Sequence, residues 1–360
     1  MRILHIGMSS FPGGVENFVR NYYLALQNDD IVFDFVDIYG DGIAFRDEFE
    51  KMGSRFYTIS NYKKHPFSGK KKLTEIIKNY TCVHIHLLSA ASIIAVEAAQ
   101  TAGVEPIVHA HNSDTVGVVR RTLHRLHVKK LRKLPVFHAA CGFEAGRWLW
   151  GDTGFTVIPN AIDTKRFQFQ EQERSKIRQD MRCSDNTAVV GFVGRLSEQK
   201  NPLFAVRAFA CFHRNHPDSQ MWIVGEGILF DAVCTLISEE ELNDSVKLFG
   251  YRDDIPELMS GMDVLLFPSA FEGLSIAFVE AQASGLPIAA SDTITSEAVF
   301  LESVRLLSLS EPMEKWCEAM SVVGNSAVRS VCAARIAEAG YDIHTAAQEL
   351  LRIYSSKSSH

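Results

Sequence analysis

The sequence predicts an α/β chain of two doubly wound domains, each a parallel sheet with helices on both faces. Three observations carry that expectation. Short apolar runs alternate with longer helical stretches, the pattern of parallel strands joined by crossover helices. The alternation runs through once, breaks in a polar stretch near residues 168–186, and then repeats. The 360 residues exceed what one hydrophobic core ordinarily organises.

In chain order, the first half places strands at residues 2–6, 31–36, 55–58, 82–87, 106–110 and 136–140. A further strand and turn-rich exit at 155–163 closes a first domain spanning 1–165. The second domain, 166–341, opens with a polar linker and a short helix and places strands at 188–193, 220–224, 246–249, 263–267 and 287–290. Residues 345–354 read as a last amphipathic helix. Ligands of open α/β sheets collect at the carboxyl ends of the strands. Two such domains facing each other would hold a cleft between those ends.

Bulk properties narrow the class. A 46% hydrophobic and 22% charged composition is that of a folded globular chain. No apolar run reaches the ~18 residues of a spanning helix. Residues 1–7 run from a short strand into a glycine loop and do not resemble a signal peptide. The seven cysteines show no CxxC and no Cys/His ligand spacing, which argues against structural zinc or a disulfide framework and favours a reducing cytoplasm.

The net charge of −6 hides an asymmetry: residues 1–175 carry 22 Lys and Arg against 18 Asp and Glu, and the remainder 15 against 25. One basic patch is Lys63, Lys64, His65 and Lys70–Lys72. The other, at 118–134, holds Arg120, Arg121, Arg125, Lys129, Lys130, Arg132 and Lys133 on a helix whose Leu123, Leu126, Leu131 and Leu134 share a face. Two readings stay open: a core-packed helix with a solvated basic face, and a helix resting on an anionic membrane surface. An acidic chain without aromatics interleaved in the patch does not suit nucleic acid.

The motifs follow strand ends. After the strand at 263–267 comes a tight loop and a helix starting near Leu274 or Ser275, a geometry whose open N–H groups suit a phosphate. Glu272 in the loop and Glu280 on the helix flank that anion site and can reach hydroxyls at two ends of a nucleotide-linked ligand. Arg195 and Lys200 follow the strand at 188–193, where two cations suit a diphosphate gaining charge as a bond breaks. Pro202 sits at the next helix start. Gly13-Gly14-Val15-Glu16 lies between the first strand and a helix but is not GxGxxG, and no convincing ribose-binding acid ends the second strand in the dinucleotide pattern. His109 and His111 share a face at the fifth strand's end, a weak metal set without a nearby carboxylate, and His84 and His86 read as packed residues. No DxD stands at a suitable strand end.

In this order and spacing the motifs resemble glycosyltransferase family 4, whose members have the GT-B architecture of two facing Rossmann-like domains. The resemblance covers nearly the whole chain and is least in the last 60 residues. It implies a retaining, metal-independent transfer of a hexose from a nucleotide diphosphate, UDP by family frequency, to a hydroxyl of a glycan or lipid-linked acceptor. It implies a front-face reaction in which the leaving phosphate takes the acceptor's proton. Arg195, Lys200, Glu272 and His111 would act at the reacting sugar, Glu272 and His111 through its hydroxyls. Gly14, Gly194, Arg252, Gly273, Leu274, Ser275 and Glu280 would bind the donor, Glu280 at the ribose and Arg252 near the base. Gly13, Glu16 and His109 would lie on the acceptor side. No cofactor is implied, and the C-terminal helix, about 342–360, would return to the first domain. The setting would be bacterial exopolysaccharide, capsule or lipopolysaccharide synthesis, in the cytoplasm or at the inner face of the cell membrane. The chain departs from the family pattern at Ala161, at Leu274-Ser275 and at 291–297, where a glycine is missing before Glu297. A GT-B UDP-sugar 2-epimerase or hydrolase, or an idle sugar-nucleotide-binding scaffold, are the alternatives.

Overall fold

The structure is a computed structural model, and it describes residues 1–59, 66–115, 117–272, 274–321 and 326–358. The basic residues Lys63, Lys64 and His65, and Gly273 of the anion loop, lie outside the described residues. Two compact units emerge: Met1–Ala161 with Asp342–His360, and Ile162–Tyr341.

The first unit is built on seven parallel strands: β1 (Arg2–Ile6), β2 (Val32–Asp37), β3 (Phe56–Thr58), β4 (Cys82–Leu87), β5 (Ile107–Ala110), β6 (Phe137–Ala140) and β7 (Thr156–Val157). Their order is β3-β2-β1-β4-β5-β6-β7, so the winding reverses between β1 and β4. Because side chains alternate across a strand, each face has its own core. One is aliphatic and holds Leu4, Ile6, Val83, Ile85 and Val108. The other lies under Phe18 and Tyr22 of the helix Gly14–Ala25 and under Tyr354 of the helix Ile343–Ser358. On that second face the register sets His5 beside His84 and His86 beside His109.

The second unit repeats the scheme with β8 (Val189–Val193), β9 (Gln220–Val224), β10 (Val246–Leu248), β11 (Val264–Phe267), β12 (Ile288–Ser291) and β13 (Val304–Leu307). All pairs are parallel, in the order β10-β9-β8-β11-β12-β13, and the winding reverses between β8 and β11. Strand β13 is absent from the sequence expectation.

A buried polar cluster ties this unit's helices together. Asp263 accepts from Arg174 Nη2 at 2.6 Å and Arg178 Nη1 at 3.2 Å. Arg329, only 3% exposed, donates to the carbonyls of Met259 and Met262 at the end of the helix Ile255–Gly261. There a cation also meets the negative end of the helix dipole.

The basic helix, Val118–Leu131, corrects one expectation. Its buried stripe is His124, Val128 and Leu131, while Leu123 and Leu126 face outward. His124 is chosen because its ring stacks on Trp148 at 4.1 Å and its Nδ1 accepts from Ala90 N at 3.1 Å. Among the described residues no helix is long and apolar enough to cross a membrane.

Candidate active site

In the second unit the sequence-predicted residues gather at the strand pair where the winding reverses. Lys200 enters from the loop after β8 and Glu272 from the loop after β11. The ammonium lies 2.5 Å from Glu272 Oε2 and donates to Ser275 Oγ at 3.2 Å. It also rests 4.7 Å from the centre of the Phe267 ring at the end of β11. Both charged side chains are mostly enclosed, at 16% and 10% exposure. Two backbone bonds brace the loops: Ala270 N donates to Gln199 O at 2.8 Å, and Gly194 N to Val224 O at 3.0 Å.

Ser275 is the N-cap of the helix Ile276–Ala283, which starts one residue beyond the expected position. Its side chain makes no capping bond, because the hydroxyl serves Lys200 instead. Among the described residues the first-turn N–H groups of Ile276 and Ala277 have no hydrogen-bond partner at the helix start, beside the lysine. Leu274 is buried and holds the entry to that turn.

Two glycines keep the loops this close. A Cβ at Gly225 would stand 2.1 Å from the carbonyl oxygen of Gly194, and one at Gly227 would stand 2.3 Å from that of Leu196. Gly225 is also held at φ +133°, where side chains are strained.

The remaining donor-side residues are placed differently. Arg195 is exposed at the end of β8. Glu280 keeps only part of its surface open, and burial pushes its carboxyl up to about 7, with Arg166 pulling weakly the other way. Among the described residues its carboxylate has no hydrogen-bond partner. Arg252 is held by Asp254 of its own loop, through bonds of 2.7 and 2.5 Å. That bidentate pairing raises the guanidinium pKa and lowers that of Asp254.

In the first unit Gly13 is the N-cap of Gly14–Ala25, with Gly14 exposed. Glu16 turns back into the loop after β1, accepting from Ser9 N at 2.7 Å and Ser9 Oγ at 2.9 Å. Its carboxylate thus shapes the glycine loop. Asp37, at the end of β2, closes its own turn by accepting from the N–H groups of Tyr39, Gly40 and Gly42 at 3.0, 2.6 and 3.0 Å.

The histidines form a network that sequence reasoning did not assemble. His5 Nδ1 meets His86 Nε2 at 3.0 Å, and His86 Nδ1 meets His111 Nε2 at 2.9 Å. A second row joins Tyr354 OH to His84 Nδ1 at 2.7 Å and His84 Nε2 to His109 Nδ1 at 3.2 Å. Burial lowers all five histidine pKa values, His5 and His111 to about 3. Neutral imidazoles can both donate and accept, which is what such rows require. The signal available was the equal spacing of His84/His86 and His109/His111 on neighbouring strands.

His111 ends its row at 8% exposure, whereas His109 is fully buried beneath Phe18, 4.8 Å away. The acceptor-side expectation for His109 is corrected accordingly: it has no surface to offer a ligand. Two histidine triads, His5/His84/His86 and His86/His109/His111, are close enough to share an ion. Three pairs of their facing nitrogens meet one another, while His5 Nε2 and His109 Nε2 are buried with no partner among the described residues.

The family model described as Glycosyltransferase Family 4 matches residues 12–166, and that described as Glycosyl transferases group 1 matches 173–305. A Bacillus subtilis protein named "Putative glycosyltransferase EpsF" is 31% identical over 98% of this chain and 96% of its own length.

The chain belongs to glycosyltransferase family 4. It is a glycosyltransferase, and its fold is GT-B. The crystal structure of Anabaena Alr3699/HepE in complex with UDP-glucose superposes with a TM-score of 0.80 at 21% identity, over 99% of this chain and 100% of that one. Another relative is the Escherichia coli UDP-Gal:alpha-D-GlcNAc-diphosphoundecaprenol alpha-1,3-galactosyltransferase. It is 32% identical over 60% of this glycosyltransferase and 58% of its own length.

Proposed function

We propose that this glycosyltransferase moves a hexose from a UDP-sugar to a hydroxyl of a lipid-linked glycan, with retention and without a metal ion. The observation that carries the reading is the contact of Lys200 with Glu272 and Ser275 at the β8/β11 reversal, beside an open helix N-terminus.

A diphosphate seated on the N–H groups of Ile276 and Ala277 meets Lys200, with Arg195 as second cation. These groups take up the charge that grows as the bond between C1 and the β-phosphate oxygen breaks. The acceptor oxygen bonds to C1 from the same face, and its proton passes to the departing phosphate oxygen. Glu272 holds donor-sugar hydroxyls, and Glu280 the ribose. Gly194, Leu274 and Ser275 line the donor, with Arg252 near the base. The loop of Gly13 and Gly14, shaped by Glu16, faces the acceptor.

The E. coli relative named for a diphosphoundecaprenol acceptor supports the lipid-linked substrate. Exposed Val118, Val119, Leu123 and Leu126 beside the basic residues of Val118–Leu131 support work at the inner membrane surface.

The test is UDP release from a panel of UDP-sugars in EDTA, with and without a lipid-diphosphate glycan, followed by NMR of the product's anomeric centre. Acceptor-dependent release with retained configuration is expected. Release without acceptor would point to a hydrolase, and inversion or a strict metal requirement would overturn the mechanism.

A further inference from the structure

Four cations on the helix Val118–Leu131 and its C-cap recur at positions 121, 125, 129 and 132, spacings that bring them onto one stripe. Like charges so spaced repel and weaken a helix unless an anion lies among them. They line a cavity of about 510 Å³ against the helix Phe143–Trp150, where His124 stacks on Trp148.

The protein neutralises little of this charge. Asp114 reaches Arg121 at 3.2 Å, and both side chains are more than half exposed. Arg132 donates to the carbonyls of Leu149 and Trp148 at 2.8 and 3.3 Å, which fixes it as a wall of the cavity. Arg125 and Lys129 have no hydrogen-bond or ion-pair partner among the described residues. On another face of the same helix, by contrast, Lys130 is paired with Glu97. His124 adds no charge: burial first, and Arg132 next, push its pKa down.

The cavity's position gives the anion a context. Asp114 belongs to the loop after β5, and His124 takes the N–H of Ala90 from the loop after β4. The groove is thus bordered by the loops that follow those two strands. From Arg121 to Lys129 the helix rises about 12 Å, and from Arg125 to Lys129 about 6 Å. Two phosphates joined by one oxygen can therefore each meet a cation. Exposed Val118 and Leu126 border the stripe and offer an apolar edge to a hydrocarbon chain.

We propose that the groove between Val118–Leu131 and Phe143–Trp150 binds the diphosphate of the lipid-linked acceptor through Arg121, Arg125 and Lys129. This rests on the lipid-linked acceptor proposed above, and it assigns that acceptor's diphosphate a place of its own, separate from the donor's on the second unit.

The probes are geranyl diphosphate, inorganic pyrophosphate and vesicles containing phosphatidylglycerol, titrated calorimetrically into the full chain and the exposed-site double variant Arg125→Ala/Lys129→Ala. Geranyl diphosphate should bind wild type and lose at least tenfold in affinity in the variant, with pyrophosphate following and UDP binding unchanged. In turnover, KM for a lipid-diphosphate glycan should rise at least tenfold while KM for the UDP-sugar holds. Arg125→Lys/Lys129→Arg should restore binding. Equal geranyl diphosphate affinity in wild type and variant would overturn the proposal, as would a variant defect confined to the vesicles, which would make the stripe a membrane surface. Diphosphate binding that depends on Arg125 and Lys129, without sugar transfer to any acceptor, would leave the groove standing and remove the functional reading instead.

Discussion

Lys200 Nζ lies 2.5 Å from Glu272 Oε2, and the two residues come from the loops after β8 and β11, at the one place in the second sheet where the winding reverses. The ammonium also donates to Ser275 Oγ at 3.2 Å, so the pair is anchored to the start of the helix Ile276–Ala283. Lys200→Ala and Glu272→Ala should each lower kcat by roughly 10²-fold or more if they act on the leaving diphosphate and the donor sugar. Steady-state transfer assays check this. Near-wild-type turnover in either variant would refute the assigned roles.

Glu280 supplies a pH dependence. Its carboxyl titrates at about 7 because burial disfavours the charge. If Glu280 holds the ribose as proposed, its ionised form accepts from both hydroxyls, and UDP affinity should rise between pH 6 and pH 8. Glu280→Gln should bind UDP more weakly at pH 8 and flatten the profile. Calorimetry across that range decides it, and an equally steep profile in the variant would assign the titration to another group.

The histidine rows make stability acid-sensitive. Each imidazole's pKa is lower in the folded chain than the ~6.5 of an exposed histidine. Their contribution is therefore fully present above that value and is lost as pH falls from there towards about 3. Urea midpoints should hold between pH 8 and 7 and fall steadily from 6.5 to 5. A midpoint unchanged down to pH 5 would mean the folded histidines take up protons as readily as exposed ones.

Arg329 is a structural cation. Arg329→Ala would strip the Met259 and Met262 carbonyls of their donor, at a cost of about 2–4 kcal/mol. Denaturant unfolding measures that loss. UDP binding at a temperature where the variant stays folded should be unchanged, since none of these contacts reaches the Lys200 site.

Much of this architecture is legible in the chain because parallel strands are covered on both faces and read as unbroken apolar runs, as in Val189–Val193 and Val264–Phe267. Strand β13 hides for the opposite reason: at the sheet edge, Arg305 and Leu306 are exposed and the pattern is broken. Leucine spacing misleads on Val118–Leu131, because a stacked histidine takes the buried position that Leu123 and Leu126 seem to claim. The charged motifs betray themselves by following strands, so Lys200 and Glu272 are readable as neighbours. Pairings such as Glu16 with Ser9, or His86 between His5 and His111, depend on loop closure and strand register, which residue types alone do not encode.

Ile162 N donates to Tyr341 O at 3.0 Å, so the two points where the chain leaves and re-enters the first unit are adjacent. Topologically, the second unit is an insertion in an otherwise continuous domain. Cutting the chain after Ala161 would deprive His84 of Tyr354 and uncover the face beneath Ile343–Ser358. Splicing Ala161 to Asp342 through a short linker would instead keep the whole first sheet and its covering helix. The insertion could then be expressed from Ile162 to Tyr341 on its own, giving two separable proteins in which the proposed UDP and lipid-diphosphate sites can be tested one at a time.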